Sequence, residues 1–559
     1  MSPNPRRRVR LTTIAGALSL ALLAGACGGG DDSSKGSSGS GSSGAGGESA
    51  AGTPVPGGEL SYGLEAETTA GWCLPETQLA QSGIMVARAI YDTLTVPNDK
   101  GEYVPFLAGS VTPNADNTVW TIKLRNGVKF HDGSALNATV VKNNLDAIRG
   151  EYPARKPLLL RFVYSNIASV DVVDDSTLTV TTKTPWPALP AFLYYSGRVG
   201  IMAQAQLDDP DTCDTKLIGT GPFKLDEWVQ NDHLTASKNP DYWGKDAKGN
   251  QLPYLDKVTF KPIADGDSRI NSLLSGQLNA AQSAGAGPIE TMQAAQKSGE
   301  IDLVESSDRA EVAYGMFNTS KPPFDNPIAR EAAAYALDRD EFNKVVNRGL
   351  FKVATGPFAP GEVGYLDDAG FPKHDPAKAK ELLAQYQAQT GKPLEFTFTL
   401  PNDPASLQLG QLVQEQGKKV GVKVNLQPVE QATLISTAIG GNYEAIAFRN
   451  HPGGDPDTQY VWWYGGAPTN FGKFNDPQMN ALLDQGRAET DPAKRKAIYE
   501  DVNRLFAKQV YNLWLNWTQW DVGTATDVQG IMGPALPDGS PPSPGLAAGH
   551  SLAGAWIQK

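Results

Sequence analysis

Cysteine is nearly absent. Three occur in 559 residues, Cys27, Cys73 and Cys213, which leaves room for one disulfide at most. Histidine is also scarce: His131, His233, His374, His451 and His550 are scattered. There is no HExxH and no histidine pair at metal-ligand spacing, so no metal centre is expected. No Walker A run is present to cradle a nucleotide phosphate, and no serine sits in a nucleophile-elbow context. No catalytic residue and no cofactor is therefore assigned. Positive charge is in deficit: 49 Lys and Arg against 61 Asp and Glu give −12, a poor balance for general nucleic-acid binding. Long apolar runs are missing. Leu11–Ala26 is too short and too rich in Ala and Gly for a stable membrane span.

The length exceeds one ordinary core and predicts two or three domains. A hydrophobic content of 40% with 20% charged residues is that of a globular protein. Residues 1–27 read as a secretion signal, with Arg6, Arg7, Arg8 and Arg10 ahead of the apolar run. Without those four arginines, 45 basic side chains face 61 acidic ones, or −16. That acidity favours solubility and says little about a ligand. Leu22-Leu23-Ala24-Gly25-Ala26-Cys27 resembles a bacterial lipobox, with Ala24 where a leucine is usual. The resemblance implies a lipid on Cys27 and anchoring on the outer face of the cytoplasmic membrane. Residues 28–57 are almost wholly Gly, Ser, Ala and Asp, a flexible tether. With Cys27 lipidated, Cys73 and Cys213 remain, and export suggests that they form a disulfide; two buried free thiols are the alternative.

The rest of the chain is organised around residues 219–244, GTGPFKLDEWVQNDHLTASKNPDYWG. Gly219, Gly221 and Pro222 make a turn, Phe223–Trp228 alternates as a strand, and His233–Lys238 returns to a turn at Asn239-Pro240-Asp241. Earlier, Gln78–Leu94 and Leu136–Arg149 have helical periodicity, Trp120–Lys129 reads as a hairpin about Asn126-Gly127, and Val170–Thr182 as a hairpin about Asp174-Asp175. Later, Asn326-Pro327, Asp338 with Glu341, and Asp375-Pro376 are helix starts. From Leu394 to Phe448 strand and helix alternate as βαβαβ, which predicts an α/β domain with parallel strands. The loop after its last strand, Arg449–Asp457, should face a cleft beyond the strand ends.

The stretch 219–244 also resembles the solute-binding proteins of peptide-type ABC importers, the oligopeptide/dipeptide-binding group known as family 5. The order continues in Asn271–Ala281, Tyr314–Arg339 and Asp375–Leu383, and the resemblance spans about 58–525. It implies a two-lobed α/β fold of the type II periplasmic-binding kind, with an extra small domain on the first lobe. Lobe I would be 58–95, 211–312 and 521–559, the extra subdomain 96–210, and lobe II 313–520. It implies a non-enzymatic receptor that closes on a peptide or peptide-like solute and docks on the importer's permease subunits. A glycoside, an opine-like conjugate or a metal chelate is the alternative ligand, and an exported enzyme or scaffold the alternative class.

The resemblance also implies contacts at Glu65 and Ala66, at the end of the first strand. Peptide binders of the group place an Asp for the α-amine after the strand that ends at Phe448; here Asn450, His451 and Pro452 stand in that stretch, and Asp455 lies in the turn that follows. Asp455 is a ligand contact or a turn former. Arg449 offers a fork for a carboxylate or phosphate, or forms an internal ion pair. Trp462, Trp463, Trp514 and Trp517 line a pocket or fill a core; alternation puts Trp514 and Trp517 on opposite strand faces.

Overall fold

The stretch 219–244 forms its hairpin and clamps a distant helix. Gly221 N–H donates to Ile90 O at 2.9 Å, at the end of helix Gln81–Ile90. A Cβ on Gly219 would lie 2.1 Å from that oxygen, so only glycine fits. Thr220 and Trp243 both donate to the buried Asp92, at 3.0 and 2.8 Å. Burial lifts the Asp92 carboxyl to about 6, against those two donors.

The computed structural model describes residues 52–559 apart from Thr69, Ala70, Gln78, Leu158, Leu159, His451 and Pro452. The expected signal 1–27, most of the tether 28–57 and the candidate His451 lie outside the described residues. Among the described residues, no helix is long and apolar enough to cross a membrane.

The main sheet is mixed. Its strands are β1 (Glu59–Leu64), β2 (Phe223–Val229), β3 (His233–Lys238), β4 (Lys257–Pro262), β5 (Ala280–Ser283), β6 (Ile301–Phe317), β7 (Glu395–Pro401), β8 (Lys423–Val429), β9 (Ala445–Asn450) and β10 (Asn512–Ala525). Their spatial order is β8-β7-β9-β6-β10-β5-β1-β4-β3-β2, and the short strand Lys352–Val353 adds to β10. β7 is parallel to both β8 and β9, as the βαβαβ pattern requires. β6 and β10 run antiparallel through the middle and link the two halves. Ile301–Ser306 pairs with Trp520–Ala525, whose other edge takes β5. Glu311–Met316 pairs with Asn512–Thr518, and Val312–Phe317 takes β9 on its far side. Between these stretches, Ser307–Ala310 have no ladder partner and only Gln519 lies opposite. The ladder is therefore broken where the chain passes from one half to the other.

Residues 96–210 build a separate four-stranded antiparallel sheet of Ala108–Pro113, Val119–Leu124, Thr177–Thr182 and Ile167–Asp174, in that order. The Asp174 hairpin is as expected. The Asn126-Gly127 hairpin is not: Val119–Leu124 pairs with strands on either side, and Lys129 only bridges Ala135. Long-range pairing has overridden a local turn signal. Cys73 and Cys213 are joined by a disulfide, with Cα atoms 5.0 Å apart and 140 residues between them in sequence.

Helix starts follow the sequence closely. Asn326, Asp338, Asp375 and Asp403 each accept a backbone N–H at a helix N-terminus, with proline entering the first turn after Asn326, Asp375 and Asp403. Apolar side chains gather in three large cores. One lies about β6–β10 and the helices of 327–507, one under β1–β4 and helix Gln81–Ile90, and one within 94–203. The last also takes in Val461, fully buried, from the far half of the chain.

Candidate functional site

The strands β1 and β9 come from opposite halves of the sheet, and their carboxyl ends meet across a cleft. Arg449 sits near the end of β9, opposite Ala313 of β6. Its Nη2 donates to both oxygens of Glu65, just past β1, at 3.2 Å each. Its Nε lies 3.8 Å from Glu311 of β6. The guanidinium also stands over the Trp520 ring at 5.5 Å, and Trp520 Nε1 donates to Glu311 at 3.0 Å. Arg449 is 39% exposed and Glu65 32%, so a solute can reach both. Burial opposes the charge on Arg449, but Glu65 and Glu311 more than offset it and raise its pKa. Burial pushes the Glu311 carboxyl up, against the pull of Arg449.

Arg449 is thus engaged by the protein's own acids: of its two expected roles, the structure shows the internal ion pair. The other candidates separate as clearly. Ala66 N–H donates to Ser82 Oγ at 3.1 Å. Asn450 donates to Gln459 Oε1 at 2.6 Å. Asp455 caps its turn by accepting Asp457 N–H, and both its oxygens hold Arg495, at 2.7 and 2.9 Å. Trp462 is half-buried and edges onto Phe471.

The remaining tryptophans belong to the core. Trp463 packs on Phe358 and Phe506. Trp514 is 1% exposed, between Tyr314 and Phe506, and Trp517 lies against Tyr365. The expected alternation also fails. Leu515 is an extra residue in the ladder, so Trp514 faces Tyr314 and Trp517 faces Val312. Tyr314 and Val312 share a face of β6, and the two tryptophans therefore share one too.

The structure adds residues that the sequence did not single out. Glu311 completes the Arg449 cluster beside Trp520, and Arg198 stands near enough to Glu311 to feel its charge. A cavity of about 390 Å³ opens beside the Gly453–Asp455 loop, lined among others by Lys100, Tyr103, Arg309 and Glu362. The Tyr103 hydroxyl donates to Gly453 O at its edge. Glu362 Oε2 accepts Ala359 N–H at 2.8 Å, while Oε1 is buried without a partner among the described residues. Burial lifts this carboxyl to about 8. Among the described residues, no cluster of His, Cys, Asp and Glu is arranged to hold a metal ion.

Two half-sheets joined by two long strands, with a charged cleft at the junction, define a two-lobed binding protein. Residues 102–471 match the model of the bacterial extracellular solute-binding proteins, family 5 (middle region). The glutathione-binding protein GsiB of Pectobacterium atrosepticum is 31% identical over 431 residues, 74% of this chain and 80% of that protein. GsiB of Escherichia coli K12 is 30% identical over 430 residues, with the same shares. In structure, the chain resembles AgaA of A. tumefaciens R10 bound to agropinic acid, with TM-score 0.79 and 28% identity over 90% of this chain and 99% of AgaA. It also resembles the oligopeptide-binding protein AppA of Bacillus subtilis in complex with a nonapeptide, with TM-score 0.78 and 22% identity over 91% and 100%.

The chain belongs to the bacterial extracellular solute-binding proteins, family 5. It is an extracytoplasmic binding component of an ABC importer, not an enzyme, and such proteins deliver small solutes or peptides to permease subunits.

Proposed function

We propose that the chain captures a peptide-type solute bearing a free ammonium group. Residues 58–95, 211–312 and 521–559 would form lobe I, with 96–210 as its subdomain and 313–520 as lobe II. Hinge closure about the break in β6 would bury the solute between them. One observation carries this reading: the Glu65 and Glu311 carboxylates both lie against Arg449 at the cleft. A ligand ammonium would meet two carboxylates there, and the Asp that peptide binders place after this strand is not needed. GsiB, a relative, is named for glutathione, itself a peptide with a free amine. Ala66, Asn450 and Trp462 would shape the walls of the same cleft. An opine-like conjugate is the second reading, favoured by the likeness to AgaA with agropinic acid.

Calorimetry with reduced glutathione and with di- and tripeptides tests the proposal. Glu311→Gln should weaken binding of a free-amine peptide by about 1.5–3 kcal/mol, the scale of a hydrogen bond to a charged group. The N-acetylated peptide should bind poorly to the wild type and lose nothing further in the variant. Equal binding of the free and acetylated peptides would overturn the ammonium reading.

We propose also that Cys27 carries the lipid that anchors the chain, supported by the basic start, the apolar run and the small residues before it. Cys27→Ala should free the protein from the membrane fraction and abolish labelling by fatty-acid probes. Unchanged attachment would refute it.

A further inference from the structure

Arg449 is the arginine that the sequence offers to a ligand carboxylate, yet two carboxylates of the protein already hold it. A second arginine faces the same junction unspent. Arg198 is half-buried, and its Nε donates to Leu79 O at 2.9 Å. Its two terminal nitrogens have no partner, and it makes no ion pair, among the described residues. It is close enough to Glu311 for mutual attraction and too far for contact. Burial lowers its pKa, and Tyr195 and Glu311 push the other way.

The backbone that delivers this side chain is unusual. Tyr195, Ser196 and Gly197 take φ of 38°, 55° and 79°, three left-handed residues in succession. Two of them are not glycine, and each such residue costs about 1–2 kcal/mol. Gly197 cannot be replaced cheaply either, since a Cβ there would meet Ile84 at 2.9 Å. Strain of this kind persists where the surrounding structure over-determines it, and it gathers at ligand clamps. Here it ends next to Arg198, whose terminal nitrogens have no partner among the described residues.

We infer that Arg198 takes the carboxylate of the solute through its free terminal nitrogens, while Arg449 serves the protein's own acids. The inference rests on the proposal of a peptide-type ligand. Glu65 and Glu311 hold the ammonium end and Arg198 the carboxylate, so each end of a zwitterion meets an opposite charge. A guanidinium pinned at Nε presents its other edge as a fixed fork, which suits a carboxylate in two parallel hydrogen bonds. The site would then discriminate against peptides whose carboxylate is amidated.

Calorimetry on the full chain, with dialanine and trialanine each as the free acid and as the C-terminal amide, tests this. The wild type should prefer each acid over its amide by about tenfold to a hundredfold, the scale of a hydrogen bond between charged groups. Arg198→Gln should bring that ratio to within about twofold. Arg198→Lys should keep part of the preference. If acid and amide bind the wild type equally, Arg198 is not a carboxylate clamp, while the ammonium site stands. If the preference survives intact in Arg198→Gln, another residue takes the carboxylate, and the inference is overturned. If the wild type binds neither probe in either form, the peptide reading falls and this inference falls with it. Should Arg198→Gln fail to fold, the wild-type ratio and Arg198→Lys decide.

Discussion

Asp457→Ala should destabilise the protein by about 3–5 kcal/mol, the cost of leaving a buried charge without its partner. Asp457 is fully buried and holds Arg487 Nε with both oxygens, at 3.0 and 3.2 Å. It also accepts Trp186 Nε1 at 2.7 Å. Arg487 in turn lies 3.5 Å over the Tyr460 ring, and its Nη2 is buried with no other partner among the described residues. Alanine removes the only carboxylate paired with this guanidinium among the described residues and strands the indole N–H of Trp186. Asp457→Asn should lose less, because the amide oxygen still accepts one hydrogen bond. Urea unfolding of the two variants measures the difference, and a loss below about 1 kcal/mol for alanine would show that water replaces the carboxylate. The effect should also reach the cleft. Trp186 follows the four-stranded sheet in sequence and Asp457 follows β9, so this contact ties the region of that sheet to the segment after β9. Ligand affinity should fall in Asp457→Asn even where the fold survives.

How much of this was legible in the sequence depends on distance along the chain. The caps at Asn326, Asp338 and Asp375 act within three residues of the helices they start, and they are found where the sequence puts them. The βαβαβ run was legible because each element carries its own period. The Asn126-Gly127 hairpin was misread because Val119–Leu124 finds better partners far away, at Thr177–Thr182 among others. The bulge at Leu515, which turns Trp514 and Trp517 to one face, leaves no local mark on the sequence. The cleft divides in the same way. Arg449 could be placed because it lies at a strand's carboxyl end, and Glu65 because the family resemblance implies a contact there. Glu311 could not, since its cluster with Trp520 exists only once β6 pairs with β10 more than 200 residues on. Arg198 gave no signal at all: its position follows from a strained turn that no residue type announces.

Removing the disulfide should have the other large effect. Cys73 and Cys213 are both buried and lie 140 residues apart in sequence. Closing so long a loop in the unfolded chain is worth about 4–5 kcal/mol on the entropic model. The folded chain around it is well fixed without the bond: Trp72 N–H donates to Asp214 O at 2.9 Å, and Arg155 Nη1 reaches Cys73 Sγ at 2.9 Å. The loss should therefore come mainly from the unfolded state, and the Cys73→Ser, Cys213→Ser double variant should still reach the native fold at a lower urea midpoint. Alkylation of the unreduced, unfolded wild type should find neither thiol free. A second effect separates this bond from a mere staple. Cys73 sits in the segment that begins at Glu65 and carries Leu79, the acceptor that orients Arg198. If that segment relies on the crosslink, the double variant should bind solute more weakly than its stability alone explains, at temperatures where it is fully folded. Unaltered affinity would mean that the bond stabilises the fold and does not shape the cleft. A double variant within about 1 kcal/mol of the wild type would mean that the packing about Trp72 and Arg155 already restrains the loop.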